Sequence, residues 1–284
     1  MNAGDIANNA FDSVTKGKVA FLCGAGISRN SGFPIAADFK NSVFMALARD
    51  LSRSGIQSVE KMPMEQLLEN LSRFVGISEL IDVFRDGKPG VAHVILARLF
   101  SRHLCNCIAT TNIDQLFEQA LLAEGNNIRP FVSSNNLGSQ LKPPCLLKLH
   151  GDVQDKESVM MTIKNVARRE CIAATRRMLE GVFRSWDHDT VIILGYSCSD
   201  TLDINPFLRS IAGRKTKQVI FIEHSAELSM ENAILGSLPP VFDGFEGQTL
   251  KVKTEEFVNA LAQHCHLRTT HTKFTAVKAE CLAR

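Results

Sequence analysis

The amino-acid sequence predicts an α/β protein with a Rossmann-like, doubly wound parallel sheet and a helical insertion between the first two strands. Three observations predict this fold class. Apolar runs of strand length recur along the chain, a segment with helical spacing follows most of them, and small or polar residues come directly after each run. Alternation of strand and helix is typical of a parallel sheet that carries helices on both faces.

Five apolar runs are predicted to be buried parallel strands, because they have strand length and are rich in aliphatic residues and cysteine. Helical patterns follow, as in NIDQLFEQALLAEG after the second run and TLDINPFLRSIAG after the fourth. The first of these helices is expected to end at Gly125, and Pro206 is expected near the start of the second. The predicted strands cover residues 18–24, 105–111, 145–151, 190–197 and 218–224.

The stretch from about residue 40 to residue 104 interrupts this rhythm. It contains the segments FMALARDL, MEQLLENLSRFV, ISELIDVF and VAHVILARLF, which have helical spacing, and no clear strand. We therefore predict one domain over residues 1–264 that includes a helical insertion at about 40–104. A C-terminal tail is predicted at 265–284, for which a frayed end and a docking helix are both open.

Composition excludes several classes of function. The chain has 284 residues, a hydrophobic content of 45% and a net charge of only +2, as expected of a globular protein without a strong surface field. No apolar run approaches the roughly 20 residues that span a bilayer, and the polar N-terminal stretch is unlike a signal or transit peptide. We expect a cytoplasmic protein without direct nucleic-acid or membrane binding.

The cysteines predict neither a disulfide framework nor a metal site. There are eight of them, several within apolar runs, and no two form a CxxC pair. Structural zinc sites need paired ligands at such spacing, and disulfides are rare in the cytoplasm. We expect the cysteines to pack as small buried hydrophobic residues, with no bound metal.

A glycine-rich turn follows the first predicted strand, in FLCGAGISRNSGFP. Gly24 and Gly26 flank Ala25, and glycines at this position let a backbone approach a pyrophosphate while the next helix start offers N–H donors. Arg29 occupies the place of the third glycine of the GxGxxG pattern. A tight turn that binds no ligand is the alternative.

Polar residues follow the second predicted strand, in ATTNIDQLFE. Thr110, Thr111, Asn112 and Asp114 lie at its carboxyl end, and ligands of open α/β sheets bind beyond that edge. Helix capping is the alternative: Thr111 or Asn112 would be the N-cap and Asp114 would lie in the first turn.

The other three strands end in the same manner. His150 precedes Gly151 in KLHGD, Gly195 and Ser197 follow the fourth strand in ILGYSCSD, and Glu223 ends the fifth in FIEH. Parallel strands present their carboxyl ends at one edge, so these residues are predicted to share a cleft.

Each of these residues also has a structural interpretation. His150 could be a core histidine, the turn after the fourth strand could be capped by Ser199 or Asp200, and Glu223 could be a surface acid. In a shared cleft, Asn112 and His150 are the natural chemical pair.

The order of these motifs resembles the sirtuin family, whose members consume NAD on a Rossmann-type sheet. The motifs are GAGIS..SGFP, TTNID, LHGD and LGYS..D, and together they span roughly residues 18–224. The resemblance implies that NAD is bound as a substrate.

The resemblance also implies roles for individual residues. Asn112 would hold the nicotinamide ribose and position a water molecule, Asp114 would orient the nicotinamide end, and His150 would be the general base. A pKa near neutrality suits a histidine for that role. The other residues implied at the NAD site are Gly24, Ala25, Gly26 and Ser28 along the diphosphate and nearby ribose, Gly195, Ser197 and Glu223 on the adenosine half, and Thr111.

The sequence departs from protein-deacylating sirtuins in two respects. Those enzymes carry two zinc-binding CxxC pairs after the catalytic histidine, and no such pair is present here. The family's GIPDFR is replaced by GFPIAADFK, three residues longer, which leaves the roles of Asp38 and Lys40 open. This pattern resembles the zinc-less sirtuin-like domains of bacterial anti-phage systems, which hydrolyse NAD.

The resemblance therefore implies an NAD glycohydrolase that releases nicotinamide and ADP-ribose and depletes NAD in an abortive-infection system. Such an enzyme has to be silent until it is triggered, so we expect a separate sensor or regulatory subunit, homo-oligomerisation, or both. A protein deacylase or ADP-ribosyltransferase is one alternative, and a non-catalytic NAD or ADP-ribose sensor is another.

Overall fold

The computed structural model describes residues 2–34, 38–42, 62–74, 76–133, 141–213 and 215–267, and the structural statements below concern these residues. The strands are β1 (Val19–Cys23), β2 (Cys107–Thr110), β3 (Phe131–Val132), β4 (Cys145–Lys148), β5 (Thr190–Leu194), β6 (Gln218–His224), β7 (Ile234–Gly236) and β8 (Gly247–Val252). The α-helices are α1 (Ala3–Thr15), α2 (Met64–Leu71), α3 (Ile77–Asp82), α4 (Val91–Ser101), α5 (Leu116–Ala123), α6 (Ile163–Val166), α7 (Arg169–Glu180), α8 (Ile204–Ile211) and α9 (Thr254–His264).

The strands form one sheet in the order β3-β4-β2-β1-β5-β6-β8-β7. Neighbouring strands are parallel throughout, except that β7 is antiparallel to β8. The chain proceeds to one side of β1 with β2 and β4, and to the other side with β5 and β6, so the topological switch point lies between β1 and β5. The predicted α/β fold class is confirmed, and the five predicted strands form the centre of the sheet.

Helices cover both faces of the sheet, and each face has its own hydrophobic core. Helices α1, α4, α5 and α9 pack on one face, and α7 and α8 pack on the other. In β1, Phe21 belongs to the first core and Leu22 to the second, because successive side chains of a strand point to opposite faces. Burial on both faces explains why the central strands are continuous apolar runs.

The structure contains three strands and four helices that were not among the predicted elements: β3, β7 and β8, and α1, α6, α7 and α9. Strand β3 has two residues, and in β8 the buried Leu250 and Val252 alternate with the partly exposed Lys251, which dilutes the apolar signal. Helix α1 comes from the N-terminal stretch that composition described only as polar. Its capping box joins Asn2 and Asp5, and Phe11 lies in the core.

In the described part of the predicted insertion, the regular structure is helical, with turns and loops between the helices; residues 43–61 and 75 lie outside the described part. Helix α4 belongs to a main layer, since Leu96 and Leu99 are fully buried in the first core. Helix α3 instead lies near the strand ends, where Ile81 packs with Ile113 and Val153.

At the C-terminal end, the packed chain continues beyond α9. Cys265 and Leu267 are buried, and residues 268–284 of the predicted tail lie outside the described part. Six of the seven described cysteines are buried, as predicted, and Cys198 is partly exposed. Within the described ranges, no helix is both long and apolar enough to cross a bilayer.

The turns after β1 and β5 touch at the switch point. Gly24 N–H donates to the carbonyl of Leu194, and Gly26 N–H donates to that of Gly195, each at 2.9 Å. A Cβ atom on Gly24 would lie 2.6 Å from the Gly195 carbonyl oxygen, and one on Gly195 would lie 2.6 Å from the Ile27 nitrogen. Glycine is therefore required here for the approach of one backbone to another, independently of any ligand.

Replacing Gly195 by alanine is expected to destabilise the fold more than the same change at Gly125. Both glycines have positive φ, +63° and +83°, but a Cβ atom on Gly125 would meet no atom within 4 Å. Left-handed backbone costs alanine about 1 kcal/mol, and the backbone clash at Gly195 adds about 1–3 kcal/mol. Urea unfolding measures the difference, and equal losses for the two variants would contradict the close approach of the turns.

Candidate active site

A cavity of about 1140 Å³ lies at the carboxyl edge of the sheet, next to the switch point. Small-molecule sites commonly have volumes of about 300–1,000 Å³, so this cavity is large enough to hold a dinucleotide. Gly24 does not line this cavity, although its carbonyl accepts a hydrogen bond from a residue that does. The predicted site residues that line it are Ala25, Gly26, Ser28, Thr111, Asn112, Asp114, His150, Gly195, Ser197 and Glu223.

The buried hydroxyl of Ser28 connects three parts of the site. Its Oγ donates to Asp114 Oδ2 at 2.9 Å and accepts from Asn112 Nδ2 at 2.9 Å. His93 Nε2 lies 3.2 Å from the same oxygen. One donated and two accepted bonds satisfy a hydroxyl group, so Ser28 joins the turn after β1 to the turn after β2 and to helix α4.

His93 of helix α4 was not among the predicted site residues. Its Nδ1 accepts the Gly90 N–H at 3.2 Å, which places the ring proton on Nε2, where it donates to Ser28 Oγ. Burial lowers the pKa of His93 to about 3, so the ring is neutral at physiological pH. The ring also packs edge-on against Phe117, with centroids 4.9 Å apart. The sequence does contain one indication of this role. A histidine on the apolar face of the VAHVILARLF helix is expected to be buried, and a buried imidazole needs a hydrogen-bond partner.

The amide of Asn112 is held in one orientation. Its Nδ2 donates to Ser28 Oγ and, at 3.3 Å, to the carbonyl of Gly24. Because Ser28 donates its own proton to Asp114, the Asn112 atom next to it has to be the nitrogen. The amide oxygen is then the group that Asn112 offers to a ligand in the cavity.

Helix capping by Thr111 or Asn112 is not observed. Helix α5 begins later than predicted, with Gln115 at the N-cap, and Asp114 Oδ1 accepts the Leu116 N–H at 3.1 Å. The other oxygen of Asp114 faces Ser28, so this carboxylate serves both the helix start and the site. Burial raises the pKa of Asp114 above its usual value, although the hydrogen bonds that it accepts favour its charged form.

A fully buried lysine fixes the turn that carries Asp114. Lys148 Nζ donates to the carbonyls of Ile113 and Asp114 and forms salt bridges with Glu118 at 2.9 Å and Asp152 at 3.0 Å. Burial alone lowers the pKa of Lys148, but the two carboxylates more than offset this and raise it above its usual value. The ammonium group is therefore charged, and it joins the turn after β2 to the turn after β4.

His150 lies against two aspartates. Its Nε2 is 3.1 Å from Asp203 Oδ2 and 3.9 Å from Asp200 Oδ1, and its side chain is 12% exposed. Burial lowers the pKa of His150, but the two carboxylates more than offset it and raise the pKa from 6.5 to about 9. The expected pKa near neutrality is therefore wrong, because the acidic partners come from a part of the chain distant in sequence.

Asp203 is both the N-cap of helix α8 and the partner of His150. Its Oδ1 accepts the Ile204 N–H at 2.7 Å, so the cap is neither Ser199 nor Asp200, as had been considered. Burial raises the pKa of Asp203, but His150 outweighs burial and holds it below the usual value. Pro206 lies in the first turn of this helix, close to the predicted position.

Glu65 of helix α2 reaches the same region. It is 8% exposed and lines the cavity. Burial and the nearby Asp200 raise its pKa above the usual value. Donor atoms of His150, Asp200 and Asp203 lie within 4.8 Å of one another, a spacing that a divalent cation could bridge.

Glu223, Ser197 and Ser199 also line the cavity. Glu223 is exposed and pairs with Lys251 at 3.0 Å, and the hydroxyls of Ser197 and Ser199 lie 2.8 Å apart. Glu223 therefore lines the cavity, as expected of a site residue, and is also an exposed surface acid, which was the alternative.

Asp38 and Lys40 do not pair with each other, and each contacts another residue of the chain. Asp38 lies 3.7 Å from Arg29, and Lys40 Nζ donates to the carbonyl of Met62 at 2.6 Å. Lys40 also lines the cavity, and residues 35–37 lie outside the described part.

Removing the buried charge of Lys148 is expected to destabilise the fold strongly. Lys148→Met leaves Glu118 and Asp152 buried without their cation, which costs about 3–5 kcal/mol in comparable cases. Lys18→Met is the matched control, since Lys18 pairs with the exposed Asp187 and its loss should have a much smaller effect. The free energy of unfolding measures both, and adding Glu118→Gln to Lys148→Met should recover part of the loss. Equal effects of the two lysine variants would contradict a structural role for the buried charge.

The ring of His150 is expected to titrate with a midpoint near pH 9. Its folded pKa is raised above 6.5, so the stability from this pair is fully present below about pH 6.5 and is lost as the pH rises through 9. NMR of the ring protons, assigned by their absence in His150→Gln, measures the midpoint. Asp203→Asn should lower it, and a wild-type midpoint near 6.5 would contradict the described contact.

Sequence comparisons find related chains. Residues 106–235 match the profile of the SIR2-like domain. An NAD-dependent protein deacetylase of Staphylococcus epidermidis is 28% identical over 116 residues, which cover 41% of this chain and 43% of that protein. The uncharacterized protein y4cA of Sinorhizobium fredii is 24% identical over 215 residues, 69% of this chain and 18% of that protein. The chain thus matches less than half the length of either relative.

Solved structures of Sir2 proteins share the fold. A crystal structure of a Sir2 homolog–NAD complex has a TM-score of 0.51 at 15% identity and covers 91% of this chain and 93% of its own. A structure reported on the mechanism and regulation of Sir2 enzymes has a TM-score of 0.50 at 16% identity, with coverages of 92% and 98%. Identities this low concern the fold rather than the activity. Residues 106–235 thus match the SIR2-like domain, and the chain as a whole shares the fold of these Sir2 structures.

Proposed function

We propose that this protein is an NAD glycohydrolase, which converts NAD and water to nicotinamide, ADP-ribose and a proton. The observation that carries the proposal is that Asn112 and His150 line the same cavity as the glycine turns after β1 and β5. In open α/β sheets, nucleotides bind in this crevice at the switch point. The sirtuin-like domain and the NAD complex of a similar fold support the same ligand.

The proposed reaction needs orientation and charge stabilisation rather than a covalent intermediate. The bond between ribose C1′ and the pyridinium nitrogen breaks, its electron pair goes to that nitrogen, and a water oxygen bonds to C1′. The oriented amide oxygen of Asn112 accepts a hydrogen bond from that water or from a ribose hydroxyl. His150 takes up the proton, so its raised pKa predicts a rate that increases with pH up to about 9.

Protein deacetylation is a second candidate, favoured by the Staphylococcus epidermidis relative. The missing CxxC pairs argue against it, because the zinc module that follows the catalytic histidine of deacylating sirtuins helps to form the acyl-lysine groove. The two candidates differ in one requirement. A deacylase releases nicotinamide only with an acylated peptide or protein, whereas the glycohydrolase needs water alone.

We further propose that the protein depletes NAD in a bacterial anti-phage system and is controlled by a separate sensor subunit, by homo-oligomerisation, or by both. The resemblance to zinc-less sirtuin-like domains of such systems supports this role. An unregulated NAD glycohydrolase would deplete the NAD of its own cell, which is the reason to expect a control mechanism.

Asn112→Ala and His150→Ala are each expected to lower nicotinamide release by at least about 100-fold, the usual size of a lost acid–base or positioning group. The measurement is mass spectrometry of NAD and its products, with the protein alone and with products of neighbouring genes. Asn232→Ala and His264→Ala are matched controls, since both residues lie on the surface away from the cavity and should retain full activity.

The outcomes separate the candidates. Nicotinamide and ADP-ribose formed without a peptide support the glycohydrolase, and release that requires an acylated peptide supports the deacylase. Tight NAD binding without turnover in every mixture would instead indicate a sensor. Full activity of either cavity variant, with folding intact, would overturn the proposed mechanism.

A further inference from the structure

Acidic side chains surround His150 at one end of the cavity. Asp200 and Asp203 come from the segment after β5, and Glu65 comes from helix α2. Each of the three acts on the charge of His150, and they act on one another as well. Three carboxyl groups thus lie near a single imidazole, and burial together with their mutual proximity raises the pKa of Asp200 and of Glu65 above the usual values.

The four groups are not equivalent. Asp203 is engaged by His150 and by the Ile204 N–H, and it does not line the cavity. Asp203 and the His150 imidazolium therefore form a pair of compensating charges. Asp200 and Glu65 both line the cavity and lie outside that pair. Of the three acidic residues near His150, these two are the ones that a ligand in the cavity would meet.

The cluster of Asp200, Asp203 and Glu65 around His150 lies where the reacting end of the proposed substrate would bind. Thr110 of β2 and Lys148 of β4 are partners in register, and Asn112 and His150 each follow two residues later. Asn112 and His150 are thus neighbours at the sheet edge, and Asp200 lies 3.9 Å from the His150 ring. If NAD binds as proposed, its nicotinamide ribose is the part next to Asp200 and Glu65.

We propose that Asp200 and Glu65 recognise the positive charge of the nicotinamide ring and stabilise it as it passes to the ribose, so that the site prefers oxidised to reduced dinucleotide. This inference rests on the proposed function. In oxidised NAD the ring nitrogen is positive; when the C1′–N bond breaks, the electron pair neutralises that nitrogen and positive charge develops at C1′. Nearby carboxylates favour both states over a neutral ring.

The test compares two ligands of nearly the same shape and different charge. Carba-NAD has a carbocycle in place of the nicotinamide ribose, so it keeps the pyridinium charge and resists hydrolysis; its reduced form has a neutral ring. We expect the wild-type protein to bind the oxidised form at least about tenfold more tightly, measured by calorimetry with EDTA present, which excludes a divalent cation at His150 and the aspartates. Equal affinity of the wild-type protein for the two forms would overturn the proposal without any variant.

Variants assign the preference to individual carboxylates. Asp200→Asn, alone and with Glu65→Gln, should reduce the preference to below about threefold while affinity for the reduced form is retained. Asp200→Glu, which keeps the charge, should retain most of the preference. Glu79→Gln on the exposed side of α3 is the matched control. An unchanged preference in the double variant would assign the effect to other groups and overturn the proposal.

The experiment also separates this inference from the proposed function. A protein that hydrolyses NAD but binds both carba-NAD forms equally would contradict the charge recognition alone. A protein that prefers the oxidised form but does not hydrolyse NAD would contradict the glycohydrolase and leave the recognition by Asp200 and Glu65 in place.

Discussion

The polar edge of the sheet depends on the hydrogen bonds and salt bridges of one buried ammonium group, that of Lys148. It is fully buried in a strand of apolar neighbours. It is bonded to two backbone carbonyls of the turn after β2, to Glu118 of helix α5 and to Asp152 of the turn after β4. Burying a charge is costly unless partners surround it, so these turns have to remain together. Asn112 follows one of these strands and His150 the other; the strand register brings them together, and the buried charge holds the two turns that carry them.

Side-chain contacts also join the other two central strand ends. Ser28 bonds the turn after β1 to Asn112 and Asp114, and Asp203 bonds the segment after β5 to His150. Each of the four central strand ends is therefore joined to a neighbour by a side chain rather than by packing alone. An edge built in this way holds polar groups in defined positions beside a cavity, which is the requirement for orienting a charged ligand. The glycines at the switch point serve the same purpose, because they allow the two backbones to touch.

Much of the fold was accessible from the sequence, because parallel strands buried on both faces form continuous apolar runs. The strand ends also indicated where polar residues would gather. The partners of those residues could not be predicted. Glu65 and Asp203 approach His150 only through the tertiary fold, and His93 reads as one more position on an apolar helix. The pKa of His150 depends on these remote carboxylates, so the motif around His150 does not indicate it.

The neutral ring of His93 has a consequence for the site. With Nδ1 accepting from Gly90, its hydrogen bonds run in one direction only, from backbone to imidazole, from imidazole to Ser28 and from Ser28 to Asp114. Ser28 accordingly has no proton left to donate to a phosphate. Its effect is to fix which end of the Asn112 amide faces outward. Through the uncharged ring of His93, helix α4 thus determines the orientation of the Asn112 amide in the cavity.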